Sequence, residues 1–258
     1  MYEKEFEVAL KLIKKAGSII LESYEHPLDV ETKGDGSPVT VVDKKVDKLL
    51  RDGLSKAFPS YALLTEESED DLSRLDNDFV WIIDPIDGTK SFIARDYQFV
   101  TLIALVYKHE PVISLIMEPR SGEIYYAKKG EGAYLLKGRK KTQLHVSNKV
   151  DKNLTVLVSP YNKNPFEIEY LNKNKAHFKT LKPVGAAYKA CLIASGKAEV
   201  CYRFSFESKE WDTCAPQLLV EEAGGYYFDG NGFRMKYNRQ DVVNHDGYMM
   251  VNDLKNIF

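Results

Sequence analysis

Between Phe79 and Leu136 the chain alternates short apolar runs with compact turn sequences, a pattern that commits this stretch to a sheet rather than to helices. Phe79–Ile83 is followed by Phe99–Tyr107, Pro111–Met117, Glu123–Ala127 and Ala133–Leu136. Lys108-His109-Glu110, Pro119-Arg120-Ser121-Gly122 and Lys129-Gly130-Glu131-Gly132 separate the later runs, which predicts an antiparallel meander. A sheet of this kind must bury its apolar faces against other elements. The flanking sequence supplies them. Phe6, Ala9, Leu10, Ile13, Ala16, Gly17 and Ile20 recur at helical spacing, predicting an amphipathic helix that ends near Tyr24, before His26-Pro27. A second helix is expected from Val41, with Val42, Val46, Leu49, Leu50 and Leu54 on one face, stopping before Pro59. Beyond a strand at Val156–Val158, helical patterns near 165–175, 185–195 and 213–223 interleave with strand-like runs near 199–202 and 225–228. The expected architecture is a layered α/β fold of two lobes, 1–150 and 151–258.

At 258 residues the chain can bury a sizeable core, so neither a disulfide nor a metal is needed merely to fold it. Its 36 basic and 38 acidic side chains leave a formal charge of −2, which excludes a globally basic nucleic-acid binder. The distribution is uneven: Lys137 to Lys189 holds 12 Lys/Arg against Asp151, Glu167 and Glu169, whereas Glu66 to Asp71 is acidic. The three cysteines lack C-x-x-C spacing and read as reduced thiols. The N-terminus lacks a secretory signal, and no apolar run approaches the roughly 20 residues that span a bilayer. A cytoplasmic protein without a membrane partner is expected. The histidines show no metal-ligand spacing and read as surface or hydrogen-bonded loop residues.

Asp84-Pro85-Ile86-Asp87-Gly88-Thr89 carries the chemistry. Its two carboxylates lie three positions apart, directly after a buried strand. Pro85 lacks an N–H and Gly88 relaxes the backbone, so a tight non-helical loop would aim both at one point, with the Ile86 carbonyl as a further oxygen. Hard oxygen donors suit Mg²⁺, whose shell a substrate phosphate normally completes. Asp-Pro and Asp-Gly are also ordinary turn chemistry. A haloacid-dehalogenase nucleophile would need Asp-x-Asp, and the spacing here rules it out. Further acids shift the balance: Glu66-Glu67 after Ala62-Leu63-Leu64, Asp212 at an expected helix N-terminus, where capping is its bland role, and Asp43 with the turn-rich Gly34–Thr40.

These elements resemble the inositol monophosphatase superfamily, the lithium-sensitive Mg²⁺ phosphatases. An acidic pair is followed by Trp81-x-x-Asp84-Pro85-Ile86-Asp87-Gly88-Thr89, then by Trp211-Asp212 and Ala223-Gly224-Gly225, and the likeness runs from Lys33 to Asn252. The resemblance implies an αβαβα sandwich of the inositol monophosphatase and fructose-1,6-bisphosphatase type, with the site between two lobes. It implies two or three Mg²⁺ ions held by Glu66, Asp84, the Ile86 carbonyl, Asp87 and Asp212. It also implies a phosphate cradle from Gly88, Thr89 and Lys90, and direct attack by a metal-activated water. Asp43 with Thr89 is the expected pair that orients that water, with Glu66 the alternative acid and Glu67 standing behind it. Homodimers are frequent among relatives.

The motif Asp87-Gly88-Thr89-Lys90-Ser91-Phe92-Ile93 looks most like the 3′(2′),5′-bisphosphate nucleotidases, as do Glu210–Ala215 and Tyr237–Asp241 ahead of Asn244. A substrate with a second phosphate needs cationic partners, for which Lys189 and Arg203 are the candidates. The chain departs from that pattern at Ser159-Pro160-Tyr161-Asn162, where nucleotidases carry Ser-x-Ser-His, and at Gly185-Ala186-Ala187, where they carry Gly-Ser-Ser. Adenosine 3′,5′-bisphosphate is the first expectation, with inositol 1-phosphate and histidinol phosphate as alternatives. A non-catalytic phosphometabolite-binding protein is the alternative of a different class.

Overall fold

The structure, a computed structural model, describes residues 1–258 apart from 25, 27, 35–37, 162, 163 and 207. Pro27, Asn162 and the central residues of the Gly34–Thr40 turn therefore lie outside the described residues. Helix α1 (Glu3–Tyr24) leads through the short hairpin β1 (Val30–Thr32) and β2 (Pro38–Thr40) into α2 (Val41–Ala57). Strands β3 (Ala62–Thr65) and β4 (Phe79–Asp87) precede the short α3 (Thr89–Ala94). The meander follows as β5 (Val100–Tyr107), β6 (Glu110–Glu118), β7 (Glu123–Lys128), β8 (Gly132–Lys137) and β9 (Lys140–Gln143). Then come β10 (Leu154–Val158), α4 (Pro165–Lys173), β11 (Phe178–Pro183), α5 (Tyr188–Ala194) and β12 (Val200–Arg203). Helix α6 (Glu210–Glu222) and strands β13 (Tyr226–Asp229) and β14 (Tyr248–Val251) complete the chain.

Strands β3 to β9 form one sheet in sequence order, parallel between β3 and β4 and antiparallel from there on. The second sheet has the order β11-β10-β12-β14-β13. Central strands of the first sheet read as continuous apolar runs because both faces are covered. Trp81, Ile83, Ile103 and Leu105 pack under α1 and α2, while Val80, Ile82, Leu102 and Ala104 face α5 and α6. The second sheet meets those same two helices through Leu157, Cys201, Tyr227 and Met250. Its other face, with Val156, Tyr202 and Met249, lies against Tyr170 and Leu171 of α4. The layers thus run α-β-α-β-α, as the resemblance implied. Among the described residues, no helix is long and apolar enough to cross a membrane.

Three local expectations are corrected. β4 does not stop at Ile83 in a loop: pairing continues to Asp87 opposite Val100 around a bulge between Asp84 and Asp87. Pro85 cannot donate to the ladder and its carbonyl instead accepts Thr101 Oγ1 at 2.8 Å, which is why the strand bulges here. α5 begins at Tyr188, not Gly185, because residues 185–187 turn tightly against Gln98 and Asp87. There Gly185 approaches the Gln98 carbonyl so closely that a Cβ would lie 2.7 Å from it. α6 begins at Glu210, earlier than expected, because Asp212 closes its first turn by accepting the Lys209 N–H at 2.6 Å.

Candidate active site

The bulge at the end of β4 delivers Asp84 and Asp87 to the gap between the sheets, and the first turn of α6 brings Asp212 to the same point. One carboxylate oxygen from each of the three lies within 4.8 Å of the others. Asp84 is buried, and neither of its carboxylate oxygens has a hydrogen-bond partner. Such a group is expensive to keep unless something neutralises it. Asp87 Oδ2 accepts the Ala187 N–H at 2.5 Å, so the tight turn before α5 is tied to the cluster.

Parallel pairing places Glu66. Thr65 lies opposite Ile83, so Glu66, the residue after β3, emerges beside Asp84, the next residue of β4. Glu66 lines the cavity with Asp87 and Asp212, but its Oε1 is held by Lys33 Nζ at 2.7 Å, and the same ammonium reaches Glu67 Oε1 at 2.6 Å. Asp43 is buried in the first turn of α2 and closes a capping box, accepting the Thr40 N–H at 2.8 Å. Its other oxygen faces Thr89 Oγ1 at 3.4 Å, and Thr89 also lies 3.2 Å from the Ile86 carbonyl oxygen.

Of these groups Glu66, Asp87, Thr89 and Asp212 line a cavity of about 250 Å³. Gly88 forms its floor with φ of 98°, and a Cβ there would strike the Gln98 carbonyl at 2.9 Å. Lys90 stands exposed at the rim. Lys189 is buried, with Nζ donating to the Ala186 carbonyl at 2.7 Å and the Val184 carbonyl at 3.3 Å. Arg203 is also buried; it pairs with Glu167 at 2.8 Å and donates to Ser205 Oγ at 2.8 Å. The sequence reading missed Ser205, Ser208, Tyr161 and Tyr248, which line the same cavity. Ser205 lies two residues past Arg203, just beyond the end of β12, and Tyr248 lies opposite Arg203 in the β12–β14 pairing. Asp47 of α2 was missed as well. Cys214 is wholly buried in the core, and His109, His177 and His245 are bonded to neighbouring oxygens.

The electrostatics follow from like charges in a confined space. Burial, then Glu66, Asp87 and Asp212, push Asp84 well above the carboxylate range. Burial, then Asp87 and Glu66, do the same to Asp212 against the pull of the Lys209 N–H. Burial raises Asp87 to about 6, opposed by the Ala187 N–H and Lys189. Burial raises Glu67 to about 7, although Lys33 works the other way. Asp43 is raised too, chiefly by burial and partly offset by its bonds from Thr40. Lys33 loses hydration but gains more from Glu66 and Glu67, so its charge is held firmly, whereas burial lowers Lys189. Among the described residues, converging oxygens, a buried carboxylate without a hydrogen-bond donor and a cavity lining without sulfur or imidazole fit a hard divalent cation.

Layers, bulge and acidic cavity together define an α/β protein with a buried carboxylate site suited to a divalent cation. The inositol monophosphatase family model matches residues 1–254. The chain is 32% identical over 235 residues to the Nus factor SuhB of Escherichia coli (strain K12), covering 87% of this chain and 85% of that protein. It is 32% identical over 253 residues to a histidinol-phosphatase of Chlorobaculum parvum, covering 96% and 92%. The crystal structure of CysQ from Bacteroides thetaiotaomicron, a bacterial member of the same family, superposes with a TM-score of 0.85 at 28% identity, covering 98% of this chain and 99% of that one. The chain belongs to the inositol monophosphatase family and is a phosphoric monoester hydrolase.

Proposed function

We propose that the cavity hydrolyses a small phosphomonoester with Mg²⁺ held by Asp84, Asp87, Asp212, Glu66 and the Ile86 carbonyl, two or three ions to a site. The observation that carries this reading is Asp84, whose two buried oxygens face other carboxylates and no donor. The cations would offset phosphate charge and make water a better nucleophile. The chain's own residues do the rest. Thr89 and Asp43 orient the attacking water and Asp43 takes its proton, with Glu66 the second acid near that point. Backbone N–H groups at Gly88, Thr89 and Lys90 receive the phosphate oxygens, and glycine suits residue 88 because its φ is positive and a Cβ would strike the Gln98 carbonyl. The site then lies between a lobe of residues 1–150 and one of 151–258.

Thr89→Ala is expected to lower turnover by about 10²-fold, the contribution of one positioned proton-transfer group, and to leave the Mg²⁺ isotherm unchanged. Calorimetric titration beside steady-state kinetics measures both. Loss of metal binding in that variant would assign Thr89 a different role.

For the substrate we favour adenosine 3′,5′-bisphosphate, with Lys189 and Arg203 meeting the phosphate that is not cleaved. The support is that both cations border the cavity that holds Asp87 and Asp212, and that CysQ is a near structural neighbour. CysQ of Aggregatibacter actinomycetemcomitans, a protein named 3′(2′),5′-bisphosphate nucleotidase, is 32% identical to this chain. A second reading, inositol 1-phosphate, is favoured by the wall of Ser159, Ser205, Ser208, Tyr161 and Tyr248 hydroxyls, and by the neutralisation of Arg203 by Glu167. Histidinol phosphate comes third. Mg²⁺-dependent phosphate release from these three substrates, compared as kcat/KM, decides among them. Preference for inositol 1-phosphate by tenfold or more would overturn the nucleotide assignment.

A further inference from the structure

Helix α2 carries a second buried carboxylate, Asp47, one turn beyond Asp43 on the same face. Two of its bonds lead to the turn that carries the acidic pair, and the third comes from its own helix. One oxygen accepts the Thr65 hydroxyl, and the other accepts Ser68 Oγ at 3.0 Å and Arg51 Nε at 2.8 Å. Thr65 and Ser68 bracket Glu66 and Glu67 in sequence. Thr65 Oγ1 in turn accepts the Glu67 N–H at 3.3 Å, so the turn is fastened at both ends and once within. Asp43 on the same helix faces Thr89. A rigid helix, rising about 1.5 Å per residue, therefore sets the separation between the Glu66 turn and Thr89.

We infer that Asp47 is a positioning residue, which holds Glu66 at the place where it can join Asp84, Asp87 and Asp212 around a divalent cation. This inference rests on the reading of Glu66 as a cation-binding group. Among the described residues, the other bonds to the pair come from Lys33 and from the Ile83 carbonyl. Lys33 grips Glu66 and Glu67 at their carboxylates, not at the turn that carries them. The Glu66 N–H is anchored to the Ile83 carbonyl at 3.3 Å, which fixes the strand end but not the turn beyond it. Removing the Asp47 carboxylate frees Thr65 and Ser68 together and lets the turn relax away from the like-charged cluster. Ligand-orienting partners of this kind are generally worth about 10- to 100-fold in metal affinity.

A merely structural carboxylate would behave differently: its loss would lower the melting temperature and leave metal binding by the folded molecules alone. The test is Mg²⁺ titration calorimetry on the full chain, at a temperature where circular dichroism shows each variant folded. The set is wild type, Asp47→Ala, Thr65→Val and Glu66→Gln, with Asp47→Ala also placed in the Glu66→Gln background. Asp47→Ala and Thr65→Val are each expected to weaken Mg²⁺ binding by about 10-fold or more. The Mg²⁺ needed for half-maximal turnover should rise in the same proportion, while kcat at saturating Mg²⁺ stays within a few-fold. In the Glu66→Gln background, Asp47→Ala should add no further loss, since both would act through one group. Wild-type isotherms in folded Asp47→Ala and Thr65→Val, with a weakened one in Glu66→Gln, would overturn this inference and leave the ligand assignment standing. An unchanged isotherm in Glu66→Gln would overturn both. Should Asp47→Ala not fold, Thr65→Val carries the test alone, because it keeps side-chain shape and the Asp47 carboxylate.

Discussion

Asp87→Asn is expected to slow turnover by at least about 10³-fold and, in the absence of metal, to raise the melting temperature. The first effect reflects the several kcal/mol of transition-state stabilisation that divalent cations supply to phosphoryl transfer, at about 1.4 kcal/mol per decade of rate. A neutral amide at residue 87 cannot hold the cation charge. The second effect follows from the same cluster read without its counter-ions. Burial, with Glu66 adding to it, pushes Asp87 up to about 6, and its ionisation also raises Asp84 and Asp212. An asparagine oxygen can still accept the Ala187 N–H that Asp87 accepts at 2.5 Å, so the local turn is retained while the repulsion is removed. Added Mg²⁺ should stabilise the wild type more than the variant, since ligands that bind only the native state raise its stability. A wild-type rate would refute Asp87 as a metal ligand. A lower metal-free melting temperature would refute the account of repulsion.

The metal-free protein should lose stability through the cluster as pH rises from about 4 to 8, and saturating Mg²⁺ should reverse that trend. The folded-state pKa values of Asp84, Asp87, Asp212 and Glu67 all lie above their ordinary values. Groups shifted upward contribute stability that is complete below the unfolded pKa and disappears as pH passes the folded one. For Asp87 the loss therefore runs from near 3.8 to about 6, and for Glu67 from near 4.5 to about 7, about 3 kcal/mol for each. Urea unfolding in chelator across that range measures it. The cleanest reading is the difference between Asp87→Asn and wild type, in which surface carboxylates cancel. That difference should be near zero at pH 4 and about 3 kcal/mol in favour of the variant by pH 8. With Mg²⁺ bound, the ionised carboxylates become the stabilised form and the wild type should gain with rising pH. A difference that does not change with pH would show that the three aspartates tolerate full ionisation unaided.

Much of this architecture was legible before any coordinates. The spacing of Phe6, Ala9, Ile13, Ala16 and Ile20 marks the buried stripe of α1, and each of these residues lies in the core. The turn sequences between Tyr107 and Ala133 mark the meander, whose pairings are all antiparallel between neighbours. Both signals are local: helical and strand periodicities arise within a few residues, and turn residues act on their own backbone. The bulge in β4 was less legible, because Asp-Pro-Ile-Asp reads equally well as a loop. Only pairing with β5, resumed at Asp87 and Val100, makes it part of a strand.

The candidate site divides along the same line. The types of donor, oxygens from aspartate, glutamate and one carbonyl, were determined by the sequence, and so was the chemistry they suit. Which of them share a volume was decided only when the layers closed. Glu66 stands beside Asp84 because β3 runs parallel to β4, and Asp212 reaches them because α6 is packed between two sheets. Among the described residues the Asp84 carboxylate has no hydrogen-bond donor, Lys33 bridges two glutamates, and Asp47 secures the turn from beneath; each of these depends on contacts between distant segments. Residue identity governs what a group can bind, but its charge state and its neighbours depend on how much water the fold leaves around it.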